Sequence, residues 1–202
     1  MILEGIVTTR NADGSANISP MGPIVDAPMR RIVLRPFCTS TTYGNLKRTG
    51  AGVLHVTDDV LLFAQAAVGT PEPLPLLTTV ANVVDAETNT TLPREVRDAL
   101  VIADACRWYA FQIVEIDDRA ERTTLTAEVV ASGTIRDFFG FNRAKHAVIE
   151  AAILATRVAI LPGAEIDAQM ERLQSWVQKT GGPREAVAFQ YLQDWIAAHR
   201  AG

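Results

Sequence analysis

The sequence has few of the residues that metal sites, disulfides and membrane segments require. Only two cysteines, Cys38 and Cys106, and three histidines occur among 202 residues, and their spacing matches no zinc or redox motif. The longest apolar stretches, Val60–Val68 and Ala147–Leu161, are interrupted by polar or charged side chains and are shorter than the roughly 20 apolar residues of a membrane-spanning helix. We therefore expect no metal site and no membrane partner, and the distant cysteines predict a reduced, cytoplasmic protein.

An excess of positive charge is also missing. The chain has 19 Lys and Arg residues against 23 Asp and Glu residues, which gives a net charge of -4 at pH 7. Nucleic-acid-binding proteins usually carry a basic surface, so no nucleic-acid partner is expected. The start, Met1–Thr9, has no basic region, is interrupted by Glu4 and alternates as a strand does, so it does not predict a secretory signal.

What the chain contains is 48% hydrophobic and 21% charged residues, which is typical of a folded globular protein. Its first part is rich in β-branched runs separated by turn signals, such as the Asp13-Gly14 pair. The predicted strands are Ile2–Thr9, Ser15–Pro20, Arg31–Phe37, Gly52–Val56, Arg107–Asp117 and Arg122–Ile135, and the predicted helices are Ser40–Arg48 and Val60–Ala67. Many strands joined by turns favour a closed antiparallel barrel over a βαβ sheet.

The composition changes after Phe141. Apolar residues at helical spacing predict helices over Arg143–Leu161, Ala164–Gln178 and Pro183–Ala198, with proline and glycine between them. We therefore predict an α+β protein with a barrel domain at residues 1–138 and a helical subdomain at residues 139–202.

The segment between Asp26 and Asp58 has no acidic residue, and its basic residues are Arg30, Arg31, Arg35, Lys47 and Arg48. In an acidic protein such a segment is a candidate anion site. The run Thr39-Ser40-Thr41-Thr42 precedes the predicted helix that contains Asn45, and hydroxyls with free N–H groups at a helix N-terminus suit a phosphate. Arg35 is close enough in sequence to add a bidentate contact. The alternative left open is a set of capping hydroxyls beside solvated arginines.

A second feature is the strand end Asn17-Ile18-Ser19-Pro20, followed by Met21-Gly22. Proline lacks the N–H group that a β-ladder needs, so strand pairing has to open at Pro20. Exposed backbone groups beside a small side chain can hydrogen-bond the edge of a flat heteroaromatic ligand. The simpler alternative is a strand that merely leaves its sheet.

Together these features resemble the flavin reductase-like proteins of the FMN-binding split-barrel superfamily. That family has an Asn-x-(Ala/Ser)-Pro strand and, further on, a Thr-x-x-Asn helix, which correspond here to Asn17–Pro20 and Thr42–Asn45. Over nearly its full length the chain is similar to one branch, domain of unknown function 447. That similarity is carried by Glu4–Thr9, Leu34–Phe37, Asn142–Ala144, Glu150 and Thr156–Arg157.

The resemblance implies an antiparallel split β-barrel of the FMN-binding type, in a homodimer with FMN near the subunit interface. The phosphate would lie against Arg35, Thr39, Ser40, Thr41 and Thr42, and Asn45 would close the pocket. The isoalloxazine ring would lie near Asn17, Ile18, Ser19 and Pro20. Lys47 is a further possible phosphate contact.

Two functions remain open at this stage. The first is a flavin-dependent oxidoreductase or flavin reductase-like protein with a small-molecule redox partner, in which the flavin carries the chemistry. The second is a non-catalytic ligand-binding or assembly protein on the same dimeric barrel, because no residue stands out as an acid, base or nucleophile. Among other candidates, we expect His55 and Cys38 to be core residues, and Arg143 and His146 to share a helix face that either reaches the flavin or is simply solvated.

Overall fold

The structure is a computed structural model that describes residues 1–120 and 122–200. Glu121, Ala201 and Gly202, which fall in the two predicted domains, lie outside the described residues. The strands are β1 (Gly5–Arg10), β2 (Ala16–Met21), β3 (Ile24–Val25), β4 (Arg31–Leu34), β5 (Ala51–Val56), β6 (Leu77–Thr79), β7 (Leu100–Ile102), β8 (Arg107–Asp117) and β9 (Thr124–Thr134). The helices are α1 (Thr41–Thr49), α2 (Val60–Val68), α3 (Ala86–Thr91), α4 (Arg94–Arg97), α5 (Arg143–Ala155), α6 (Gly163–Thr180) and α7 (Pro183–Arg200), with a 3₁₀ turn at Val80–Asn82.

Seven strands form one antiparallel sheet in the order β2-β1-β5-β8-β9-β4-β3. The two edge strands, β2 and β3, follow each other in the chain and are separated only by Gly22 and Pro23. Because so short a connection spans only about 10 Å, the two edges of the sheet lie close together and the sheet is curled. Residues ahead of β1 also contact β3, since the N–H of Val25 donates to the carbonyl of Met1 at 2.8 Å. The predicted antiparallel barrel is confirmed, and the β2–β3 connection marks its seam.

The interior of this sheet is packed with aliphatic and aromatic side chains. Val7, Ile32, Leu34, Leu54 and Phe111 are fully buried in one cluster. They come from β1, β4, β5 and β8, where every second residue faces inward. Tyr43 and Leu46 of α1 belong to the same cluster and Met21 of β2 packs against it, so the cluster holds α1 and the end of β2 beside β4.

The chain forms two compact units, and their composition differs from the predicted domains. One unit contains Met1–Thr57 and Pro75–Asp137, and the other contains Asp58–Leu74 together with the described residues from Phe138 onward. The predicted division at residue 138 assigns Asp58–Leu74 to the barrel, whereas the structure groups it with the C-terminal helices. The physical reason is that α2, which is apolar over most of its surface, packs against α5 and α7.

The helical unit has its own core and its own buried ion pair. Lys145 Nζ lies 3.1 Å from Glu185 Oε1, and both side chains are largely buried. Helix α5 ends at Ala155 rather than at the predicted Leu161, and residues 156–161 form turns instead. Pro162 disfavours helical backbone in Leu161. The β-branched residues Thr156, Val158 and Ile160 lower the helix propensity of the stretch before it.

Candidate functional site

A cavity of about 400 Å³ opens at the seam of the barrel. This volume lies in the range of small-molecule sites. Its walls come from the end of β2, the start of β3, the segment after β4 and the first turn of α1. The lining residues are Ile2, Ser19, Pro20, Met21, Gly22, Ile24, Val33, Arg35, Pro36, Phe37, Ser40, Thr42 and Arg122. Five of the ten predicted site residues are therefore brought together: Ser19, Pro20, Arg35, Ser40 and Thr42.

The segment after β4 presents Arg35 to the cavity because the strand is shorter than predicted. Strand β4 ends at Leu34, and not at Phe37. The carbonyl of Pro36 then accepts hydrogen bonds from the backbone N–H of Thr123 at 3.0 Å and from its hydroxyl at 2.9 Å. These bonds anchor the segment beside β9, and they leave the Arg35 side chain exposed at the cavity wall.

The start of α1 supplies the hydroxyl groups of the cavity. Ser40 is the N-cap residue, and its Oγ accepts the N–H of Tyr43 at 3.2 Å while its own hydroxyl donates to the carbonyl of Phe37 at 2.8 Å. The first turn of α1 has no acidic residue, so no carboxylate there neutralises the positive end of the helix dipole. Thr39 and Thr41 are exposed and are not among the lining residues.

Two of the predicted contacts are engaged in a buried hydrogen-bond network behind the cavity wall. The amide of Asn17 donates to Thr9 Oγ1 and to Thr42 Oγ1, both at 3.0 Å. The amide of Asn45 donates to the same Thr9 oxygen at 3.0 Å and to Asn11 Oδ1 at 2.8 Å. Neither asparagine lines the cavity. The network instead ties β1, β2 and α1 together, and so holds Thr42 at the wall.

The predicted opening of the strand pairing at Pro20 is wrong, because β2 stays paired with β1 as far as its end at Met21. Pro20 pairs with Ile6 of β1, and β2 is an edge strand, so the missing N–H of proline faces away from the ladder. Ser19 and Pro20 line the cavity, whereas Ile18 is buried and is not among the lining residues. The motif therefore contributes its last two residues to the cavity and not its first two.

Of the five basic residues in the acid-free segment, Arg35 is the one that lines the seam cavity. Lys47 Nζ lies 2.8 Å from Asp118 Oδ2 and 3.0 Å from the hydroxyl of Tyr43. The hydrogen bond to Asp118 raises the pKa of Lys47, and the same contact lowers the pKa of the Asp118 carboxyl. Arg48 donates to the backbone carbonyl of Arg10. Lys47 is thus held by a carboxylate of its own chain.

Sequence reasoning missed Arg122 and Phe37, which both line the cavity. They form an isolated antiparallel bridge, and Cζ of Arg122 lies 4.5 Å from the centre of the Phe37 ring. Nothing in the sequence around Arg122 indicates a site, because it lies 87 residues after Arg35 and comes into place only through the β4–β9 pairing.

The remaining candidates lie elsewhere. His55 is a core residue as predicted: its Nδ1 lies 3.1 Å from the carbonyl of Ile6, and its Nε2 accepts the N–H of Ile102 at 3.0 Å. Cys38, which was expected in the core, is exposed because it follows the point where β4 has ended. His146 stacks on the ring of Phe141 with 6.2 Å between centroids.

Neither a group of metal ligands nor a membrane-spanning helix is found among the described residues. Within residues 1–120 and 122–200, no three His, Cys, Asp or Glu side chains are grouped closely enough to hold a metal ion. No helix in that part of the chain combines the length and apolar character needed to cross a membrane.

Two family models and one solved structure match most of the chain. The family model described as "Protein of unknown function (DUF447) N-terminal domain" matches residues 3–136, and the model described as "Protein of unknown function (DUF447)" matches residues 142–194. No curated protein matches the sequence. An FMN-bound DUF447 protein from Methanosarcina mazei is similar over 96% of this chain and 94% of its own, with a TM-score of 0.77 and 21% identity.

Two further structures resemble about two thirds of the chain only weakly. The styrene monooxygenase flavin reductase from Pseudomonas putida has a TM-score of 0.48 and 11% identity, over 65% of this chain and 77% of its own. Flavoredoxin from Methanosarcina acetivorans has a TM-score of 0.49 and 12% identity, over 66% of this chain and 68% of its own.

The likeness to the Methanosarcina mazei protein extends over barrel and helices and confirms the predicted α+β split-barrel fold. On the match of both family models, this chain belongs to the DUF447 family.

Proposed function

We propose that the protein binds FMN in the seam cavity and acts as a flavin-dependent oxidoreductase or flavin reductase-like protein with a small-molecule redox partner. The observation that carries this proposal is the convergence of Arg35, two hydroxyl side chains and a helix N-terminus on one cavity whose lining has no carboxylate. The FMN-bound state of the Methanosarcina mazei relative supports it.

The polar end of the cavity fits the phosphate of FMN. Arg35 offers a planar pair of N–H donors, which suits two phosphate oxygens. Thr42 adds a hydroxyl donor beside the first backbone N–H groups of α1, which have no partner within the helix. Ser40 lies next to them as the N-cap, and its own hydroxyl proton is donated to the carbonyl of Phe37. Thr42 is held in place by the Asn17 amide, so its hydroxyl is already oriented before a ligand arrives.

The other walls fit a flat, largely apolar ring. Ile2, Met21, Ile24, Val33 and Phe37 supply apolar surface. The outer edge of β2 at Ser19 and Pro20 has no neighbouring strand in the sheet and offers hydrogen-bonding groups at the ring edge. In this proposal Asn17 and Asn45 hold the cavity wall in position, and the residues that line the cavity contact FMN directly.

When bound, FMN would supply the electron and hydride transfer, and the chain's own residues would bind and orient it. Arg35 and the N-terminus of α1 would hold the phosphate, and the cavity residues of β2 and of the segment after β4 would hold the ring. A reduced small-molecule donor would have to approach the ring from the open side of the cavity.

Two free cysteines, one exposed and one buried, support the proposed cytoplasmic location.

The test is a titration of the flavin-free protein with FMN, followed by the change in flavin fluorescence. We expect saturation at one FMN per chain and a purified protein that is yellow with the two visible flavin absorbance bands. Addition of a reduced nicotinamide donor without oxygen then separates an oxidoreductase, which loses those bands, from a protein that only holds the flavin. A protein that neither retains nor takes up FMN would contradict the proposal.

We also propose that the protein is a homodimer with FMN near the subunit interface. A second groove, of about 760 Å³, runs along β4, β8 and β9 and is lined by Arg30, Arg31, Glu115, Glu128, Val114, Thr126 and Val129. A surface that carries both arginines and glutamates is complementary to a two-fold-related copy of itself. Arg31 of this groove and Val33 and Arg35 of the cavity are alternate residues of one segment, so they face the same side. A partner on the groove would lie next to the cavity.

Replacing Val114 by Lys is expected to shift the dimer toward monomer and to weaken FMN binding with it. Val114 is 54% exposed in the single chain, so the substitution costs little folding free energy. It nevertheless puts a charge where the partner would bury apolar surface. Light scattering on the protein as it elutes from a size-exclusion column measures the mass of the assembly. Val187→Lys on α7 is the matched control, because Val187 is 56% exposed and lies in the helical unit. A mass that is equal in all three proteins would contradict this interface.

A further inference from the structure

We infer that Arg122, held by the ring of Phe37, is a second phosphate-binding side chain of the seam cavity and makes the site select the phosphorylated flavin over riboflavin. This inference rests on the proposed function and adds to it a residue and a ligand preference. Arg122 belongs to none of the motifs that pointed to the cavity. It enters the site through the tertiary structure alone.

The position of Arg122 is fixed by contacts on both sides of the segment after β4. Phe37 and Arg122 form an isolated antiparallel bridge, and Thr123, the next residue, donates two hydrogen bonds to the carbonyl of Pro36. Arg35 and Phe37 are two residues apart on an extended segment, so both face the cavity. The guanidinium that lies 4.5 Å over the Phe37 ring is therefore placed on the same wall as Arg35.

The stacking contact prepares the Arg122 guanidinium to bind. A guanidinium over an aromatic face is attracted by the ring quadrupole, and the contact restricts the rotamers of a long side chain. A contact with the ring face leaves its N–H groups available to a ligand. Less conformational entropy is then lost on binding than for a freely moving arginine.

Neither cavity arginine has an acidic partner within the described chain. No carboxylate of residues 1–120 or 122–200 forms an ion pair with Arg35 or Arg122, although Lys47, Arg119 and Arg136 all have such partners. The cavity lining contains no Asp or Glu. Two cations on one cavity wall favour a ligand that carries a double negative charge.

A phosphate monoester carries such a charge, about -1.5 to -2 at pH 7. Riboflavin has the same ring and ribityl chain without the phosphate, so it would leave both guanidinium groups uncompensated. The site is therefore expected to prefer FMN to riboflavin, with Arg122 contributing part of that preference and Arg35 the rest.

The test compares the Kd of FMN with the Kd of riboflavin in the wild-type protein, in Arg122→Ala and in Arg122→Lys. We expect Arg122→Ala to weaken FMN binding by about tenfold or more and to leave riboflavin binding within about twofold. Arg122→Lys should recover only part of the loss, because an ammonium cannot stack flat on Phe37 or make a bidentate contact. Phe37→Leu should likewise lower the FMN preference while Arg122 is still present.

The outcomes separate this inference from the function on which it rests. If Arg122→Ala weakens both flavins equally, or neither, Arg122 does not bind the phosphate, although the flavin site stands. A wild-type protein that binds both flavins equally well overturns the preference in the same way. A wild-type protein that binds neither flavin overturns the proposed function itself. Arg172→Ala on α6, an exposed arginine of the helical unit, is the control for charge removal.

Discussion

Replacing Arg35 by Ala is expected to weaken FMN binding by roughly 10- to 150-fold. This range follows from the about 1.5–3 kcal/mol that a hydrogen bond to a charged group contributes. Arg35 lines the cavity, has no acidic partner among the described residues and lies on the same wall as the N-cap of α1. Adding Ser40→Ala should weaken binding further, because it removes a hydroxyl from the wall and the cap from α1, at a cost of about 1 kcal/mol in helix stability.

The matched control for Arg35→Ala is Lys47→Ala. It removes the same charge from the same acid-free segment, but Lys47 is held by Asp118 and Tyr43 and does not line the cavity. We expect its FMN affinity to stay within about twofold of the wild type, because surface ion pairs contribute little. If Lys47→Ala weakens FMN as strongly as Arg35→Ala, the phosphate is not bound where we place it.

Acidification from pH 7 to pH 4 is expected to remove about 3 kcal/mol of the free energy of unfolding through His55 alone. Burial lowers the pKa of His55 from its ordinary 6.5 to about 4. Between these two values the unfolded chain binds a proton at this site and the folded chain does not, so stability falls as the pH falls. Urea unfolding at several pH values from 7 to 4 measures the slope.

The contacts of His55 explain why it resists protonation. Its Nε2 accepts the N–H of Ile102, so a proton there would have no acceptor, and Nδ1 already faces the carbonyl of Ile6. The variant His55→Gln has no titrating group and should lose most of the pH dependence between 6.5 and 4, whatever its own stability. His199→Gln, at an exposed position of α7, should keep the dependence. An unchanged slope in His55→Gln would contradict this account.

The parts of the fold that the sequence predicts are those set by local chemistry. The first hairpin follows from its β-branched runs and the Asp13-Gly14 turn. Helix α1 follows from Ser40 as N-cap and from Gly50 as C-cap, whose φ of 68° is a conformation that glycine adopts at little cost. The β8–β9 hairpin and helices α6 and α7 are predicted to within a few residues for the same reason.

The candidate site is only half predictable, because half of it depends on contacts between distant segments. Asn17 and Asn45 carry the family resemblance, yet the structure uses both amides to hold β1, β2 and α1 together through Thr9. Arg122 carries no local signal and reaches the cavity through the pairing of β4 with β9. In both cases the sequence gives only the type of side chain. The tertiary structure decides whether that side chain faces the core, the cavity wall or the ligand.

A crystal structure of the protein with FMN tests most directly whether the seam cavity binds the phosphate. The phosphate should lie within hydrogen-bond distance of the Arg35 guanidinium and the Thr42 hydroxyl, at the N-terminus of α1, with the ring beside Ser19 and Pro20. A phosphate found instead against Lys47, or in the groove lined by Arg30 and Arg31, would contradict the claim.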